Sequence, residues 1–222
     1  MVDHRLAFLW ALEACPLVAI LRGINPNNIL KVADTLVEAG IKIIEVPLNS
    51  PEPFESISLL LEAYPDGIVV GAGTVLTKSD AEKLAQLNAG LMVTPNTNPL
   101  VISIANEAGM ASVSGCLTPT EAIEALSAGT TALKIFPANA LNSGYAKDIK
   151  AVLPGSPRLI AVGGIAPENL EMYKTGGYDG FGVGSYLYKP GRSVEEIAQI
   201  AREFVKVCSN TDVEWTELDN EH

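Results

Sequence analysis

Histidine is nearly missing from this chain of 222 residues: it occurs twice, as His4 and His222, both near an end. The usual proton carrier near neutral pH and the commonest zinc ligand are therefore absent from the body of the sequence, which excludes a histidine-based triad. Cysteine is scarce as well. Cys15, Cys116 and Cys208 are far apart and odd in number, a pattern that supports neither a disulfide framework nor a CxxC metal site and suits a reducing cytoplasm. Basic charge is short: 15 Lys and Arg stand against 26 Asp and Glu, a formal net charge of −11. That balance argues against a nucleic-acid partner and favours plain solubility. Long apolar runs are absent too, since the best candidate, Leu6 to Leu21, is interrupted by Glu13 and Pro16 and falls short of a bilayer span, so no membrane association is expected.

What the chain does have is enough hydrophobic content, 48%, to bury one substantial core. Eight short apolar runs recur along it: LVAIL (17–21), KIIEV (42–46), IVVGAG (68–73), LMVTP (91–95), ASVSG (111–115), ALKIF (132–136), LIAVGG (159–164) and FGVGS (181–185). Helical periodicity and capping residues lie between them, as at Asn25-Pro26 before 27–38, Thr77 to Asp80 before 81–87, and Pro167-Glu168 before 169–175. Asp3 to Ala14 reads as an amphipathic leading helix. Strands that are apolar throughout suit a parallel sheet covered on both faces, and a spacing of roughly 23 residues per step accommodates a strand, a helix and two loops. Eight such units close most economically into an α/β fold of the (β/α)8 TIM-barrel type, the rival being an open doubly wound sheet. The chain reads as one domain over 1–208, followed by an acidic, polar tail over 209–222.

In a barrel the chemistry belongs at the carboxyl ends of the strands. Those ends carry Arg22, Glu45, Gly73-Thr74, Thr94-Pro95-Asn96, Gly115-Cys116, Lys134, Gly163-Gly164 and Gly184-Ser185. The carboxylates do not cluster as a metal site would need, so no metal is expected. One lysine stands out: Lys134, inside the apolar stretch TALKIFPAN. Lysine is rarely buried without a partner, and desolvation together with a nearby arginine weakens its hold on the proton. A neutral amine attacks carbonyls to form a Schiff base, and Glu45 is the carboxylate at hand to move protons for it. The bland alternative is a Lys134–Glu45 ion pair with no chemistry. The paired glycines after the seventh and eighth runs read as a phosphate cradle, because without a Cβ the backbone N–H groups can approach an anion closely. A barrel that binds a phosphometabolite without turnover, or an isomerase or epimerase using Glu45 as base, would share these loops but would need no imine.

The combination of Leu17 to Ile24, Glu45 with PLNSP (47–51), GAGTVL (71–76), VTPN (93–96), LKIFPA (133–138), AVGGI (161–165) and GVGS (182–185) resembles the class I aldolases for 2-keto-3-deoxy-6-phosphogluconate and its galactonate epimer. The resemblance implies a cofactor-free lyase that splits a phosphorylated 2-keto-3-deoxy sugar acid reversibly to pyruvate and glyceraldehyde 3-phosphate, usually as a homotrimer. By position it implies Lys134 as the Schiff-base residue and Glu45 as the acid/base. Thr74 and the Gly73 backbone would hold the carboxylate, Arg22 would face the substrate, and Gly163, Gly164, Gly184 and Ser185 would bind the phosphate. The gluconate branch typically has Thr-Leu-Arg after E-V, where this chain has Pro47-Leu48-Asn49, and a threonine before the double glycine, where this chain has Val162. Both departures resemble the galactonate branch, and Val162 is a sensible place to discriminate the C4 hydroxyl, since only threonine can hydrogen-bond it. Acceptance of both epimers, or of 4-hydroxy-2-oxoglutarate, is the alternative.

Overall fold

Runs of β-branched and aliphatic residues only four to six long can be apolar throughout only if both of their faces are covered. The computed structural model, which describes residues 3–209, covers them by closure. The strands are β1 (Leu17–Ile20), β2 (Ile43–Pro47), β3 (Val69–Gly73), β4 (Leu91–Val93), β5 (Ala111–Cys116), β6 (Ala132–Ile135), β7 (Leu159–Val162) and β8 (Gly180–Val183). They pair in sequence order, all parallel, and β8 returns to β1 with Ala19 opposite Val183. That last pairing closes the barrel and excludes the open sheet.

The helices are α1 (His4–Ala14), α2 (Pro26–Glu38), α3 (Pro53–Ala63), α4 (Lys78–Gln86), α5 (Pro99–Glu107), α6 (Pro119–Ser127), α7 (Tyr145–Lys150), α8 (Pro167–Thr175) and α9 (Val194–Ser209). Proline opens α2, α3, α5, α6 and α8, where its missing N–H costs nothing and its fixed φ suits the first turn. For that reason α2 and α8 start one and two residues earlier than periodicity alone suggests, and α4 starts three earlier because its cap lies further out, at Thr77, whose hydroxyl accepts from the Asp80 N–H at 3.1 Å. At the other end, Ser209 belongs to α9. The rest of the anticipated acidic tail, 210–222, lies outside the described residues.

Alternation along each strand divides the core in two. One set of side chains packs outward against the helices, including Leu17, Ala19, Ile44, Val46, Leu133 and Ile135. The other fills the barrel: Val18, Ile20, Ile43, Val69, Leu91, Val93, Ala111, Val113, Ala132, Ile160 and Val162. Phe8 and Leu12 of α1 join this inner set. A Cβ on Gly180, at the start of β8, would come within 2.8 Å of Leu12, so α1 stoppers the barrel at the amino ends of its strands. The carboxyl ends are left for polar groups.

Candidate active site

Strand register decides which polar side chains enter the barrel. Glu45 is in register with Ile20 on β1 and Gly71 on β3, and Lys134 with Gly115 on β5 and Ile160 on β7. Both therefore share the interior set's orientation, and both are buried, at 2% and 5% exposure. Their surroundings are cleared by missing side chains. A Cβ on Gly73 would fall 1.6 Å from Glu45 Oε2, and one on Gly115 would fall 2.2 Å from the Pro95 carbonyl carbon. Gly73 thus makes the room in which the Glu45 carboxyl sits.

Among the described residues no direct ion pair joins Lys134 to Glu45, and Glu45 Oε2 is buried without a hydrogen-bond partner. The bland ion-pair reading is therefore not what the structure shows. Burial pushes the Glu45 carboxyl up to about 7, against the pull of the Lys134 and Arg22 charges. Burial likewise holds the Lys134 ammonium below the ordinary lysine range; the Glu45 charge opposes this and Arg22 adds to it. Two buried groups moved toward neutrality from opposite sides are suited to exchange protons. Lys134 Nζ lies 4.9 Å from the centre of the Phe136 ring, which is 40% exposed.

Arg22, after β1, reaches across the strand ends. Its Nη1 donates to Asn49 Oδ1 and its Nη2 to Thr74 Oγ1 at 3.3 Å. Thr74 holds a φ of +57°, a left-handed conformation that is costly for a β-branched residue and clusters at functional positions. Gly73, Thr74, Arg22, Glu45 and Lys134 are thus gathered into one arc.

The second group gathers beside it. A cavity of about 790 Å³ is lined by Arg22, Phe136, Val162, Gly163, Gly164, Gly184 and Ser185, with Tyr186, Tyr188 and Lys189 from the following loop. Lys134 and Glu45 lie just inside, around a void of about 10 Å³, and Ile20, Val162 and Gly182 line both spaces. Gly164 has a φ of +72°, and a Cβ there would fall 2.9 Å from Asn139 Cβ; glycine is required on both counts. Among the described residues the N–H groups of Gly163, Gly164, Gly184 and Ser185 have no acceptor within the chain. Free N–H groups on paired loops suit an anion.

Sequence reasoning thus names ten residues that fall in two adjoining groups at one end of the barrel. It misses Phe136 as a wall of the lysine site, Asn49 as a partner of Arg22, and Lys189. Phe136 was within view, because it lies two residues after Lys134 on the same strand end. Asn49 was marked only as a departure from the gluconate branch, with nothing to show its bond to Arg22, and Lys189 carried no signal of its own, as both positions depend on loops.

Comparison with known proteins agrees with this geometry. Residues 10–202 match the family model described as KDPG and KHG aldolase. The chain is 47% identical over 191 residues to the 2-dehydro-3-deoxy-6-phosphogalactonate aldolase of Escherichia coli (strain K12), covering 86% of this chain and 93% of that one. It is 46% identical over 186 residues to a probable 2-dehydro-3-deoxy-6-phosphogalactonate aldolase of Rhizobium meliloti (strain 1021), covering 84% and 88%. Among solved structures, one described as native KDPGal superposes with a TM-score of 0.85 at 47% identity, over 86% of this chain and 93% of that one.

Proposed function

The chain belongs to the KDPG and KHG aldolase family, and from that premise we propose that it is a class I aldolase cleaving 2-keto-3-deoxy-6-phosphogalactonate to pyruvate and glyceraldehyde 3-phosphate. The observation that carries this reading is the buried Lys134, with no carboxylate partner among the described residues, beside a Glu45 carboxyl raised to about 7.

In this reading the neutral Lys134 amine attacks the C2 ketone, and the carbinolamine loses water to give an iminium, with Glu45 relaying the protons. The Glu45 carboxylate then takes the proton from the C4 hydroxyl. The C3–C4 bond breaks, its electron pair passes toward the iminium to leave an enamine, and glyceraldehyde 3-phosphate departs. The enamine takes a proton at C3, and water hydrolyses the resulting iminium, which restores Lys134 and releases pyruvate. Thr74, the Gly73 backbone and Arg22 hold the substrate carboxylate. Gly163, Gly164, Gly184 and Ser185 take the phosphate, supported by their free N–H groups. Every step uses groups of the protein and water.

For the C4 configuration, support comes from Val162, which lines both the cavity and the lysine void and offers no hydrogen bond, and from identities of 46% and 47% to aldolases named for the galactonate epimer. We place the enzyme in the cytoplasm as a single-domain homotrimer over 1–208. Leu76, Leu100 and Ile123, exposed at 50%, 55% and 43% on the segments after β3, β4 and β5, support an apolar face for such contacts. Among the described residues no helix is long and apolar enough to cross a membrane.

Incubation with pyruvate and borohydride, followed by intact mass and peptide mapping, tests the mechanism. A single pyruvyl adduct on Lys134 is expected. Pyruvate bound without an adduct sinks the imine and leaves a binding barrel or an epimerase.

A further inference from the structure

A phosphorylated keto acid carries a carboxylate and a phosphate, and it must approach a chain whose formal net charge is −11. Among the described residues no carboxylate lines the 790 Å³ cavity, whereas two cations do, Arg22 and Lys189. Arg22 is already committed at its inner edge, its guanidinium held by Asn49 and Thr74. Lys189 comes from the loop after β8, beyond Gly184 and Ser185, and has no carboxylate partner among the described residues.

The loop that carries Lys189 is braced. The Leu187 and Tyr188 N–H groups both donate to the Gly184 carbonyl at 2.9 Å, and the Arg192 N–H donates to the Lys189 carbonyl at 3.0 Å. The Arg192 guanidinium donates to the Tyr186 carbonyl, and the Tyr186 hydroxyl donates to Glu168 at 2.9 Å. That last bond gives the Glu168 carboxylate a partner other than Lys189. Pro190 docks on the backbone of Gly23, where a Cβ would meet its ring at 2.9 Å. Lys189, set between these fixed points, is presented on the cavity wall by a loop that has little freedom to lose on binding.

We propose that Lys189 is the phosphate-binding cation of this site: the backbone N–H groups of the glycine loops orient the phosphate, and the Lys189 ammonium neutralises it. This deepens the aldolase reading and rests on it for the identity of the substrate. The division of labour is physical. N–H dipoles give direction, whereas a lysine ammonium acts as a point charge felt at a distance and screened by salt.

The experiment compares wild type with Lys189→Ala, Lys189→Arg and Lys189→Glu. Calorimetric titration with inorganic phosphate should show affinity falling about tenfold in Lys189→Ala, further in Lys189→Glu, and recovering in Lys189→Arg. In steady-state cleavage of 2-keto-3-deoxy-6-phosphogalactonate, Lys189→Ala should raise KM by about the same factor with kcat within twofold. Cleavage of the same sugar acid lacking its phosphate should be unchanged. Unaltered phosphate affinity in Lys189→Ala, or equal losses with both sugar acids, overturns the assignment. Failure of pyruvate to form an adduct with wild-type Lys134 would sink the aldolase reading separately, and the phosphate titration would still decide the role of Lys189.

Discussion

Glu45 and Lys134 illustrate how one side chain's neighbourhood sets another's chemistry. The Glu45 charge raises the lysine's affinity for its proton, so replacing it removes an influence of known sign. In Glu45→Gln the midpoint of pyruvate trapping by borohydride should move to lower pH, because a less stabilised ammonium gives up its proton sooner. In the proposed mechanism cleavage needs Glu45 ionised to take the C4 proton, so wild-type kcat should climb as pH rises through about 7. In Glu45→Gln that limb should vanish and kcat fall by about 10²–10⁴; a surviving limb near pH 7 would assign the base elsewhere. The sequence exposed this pair clearly, since a lysine within an apolar strand and a carboxylate at another strand's end are anomalies on a one-dimensional reading. It did not expose the unpaired state of the two groups. That follows from the barrel's radius and the register of six strands, which no local pattern encodes.

At the scale of elements, α1 separates what pattern could read from what it could not. Its amphipathic character is visible in the residues, but its place across the amino ends of the strands is set by Phe8 and Leu12 finding the inner cluster. Truncating a fully buried phenylalanine typically costs about 3–5 kcal/mol, and for a barrel of this size that is a fall in Tm of about 10 °C. Phe8→Ala should therefore lower Tm by that amount in a thermal melt while leaving KM for the sugar acid unchanged at 25 °C. A rise in KM with no loss of Tm would show that α1 serves the far end instead. The strands themselves were legible to within one or two residues because each is predominantly apolar and buried on both faces. Helix starts were read late where proline stands inside the first turn, as at Pro26 and Pro167, because a residue that punctuates a sequence here belongs to the element it opens.

For the molecule as a whole, the sequence announced eight repeats, and closure followed from their number and parallel pairing. Quaternary structure was never legible, because an exposed leucine looks the same in a chain that works alone. Leu100→Asp places a charge on the proposed contact face and should convert a trimer to a monomer in sedimentation velocity; a wild-type monomer would remove the trimer. The stoppered barrel also governs the order in which the products travel. With α1 across one end, the deepest fragment and the shallowest share a single doorway. In the proposed reaction pyruvate is tethered at the back, on Lys134, and the aldehyde half, with its phosphate at the threshold, stands in front of it. Traffic through such a dead-end street runs last in, first out: in the reverse direction pyruvate has to enter and be fastened before an aldehyde can follow it, and the enzyme waiting for its partner is one already holding three carbons.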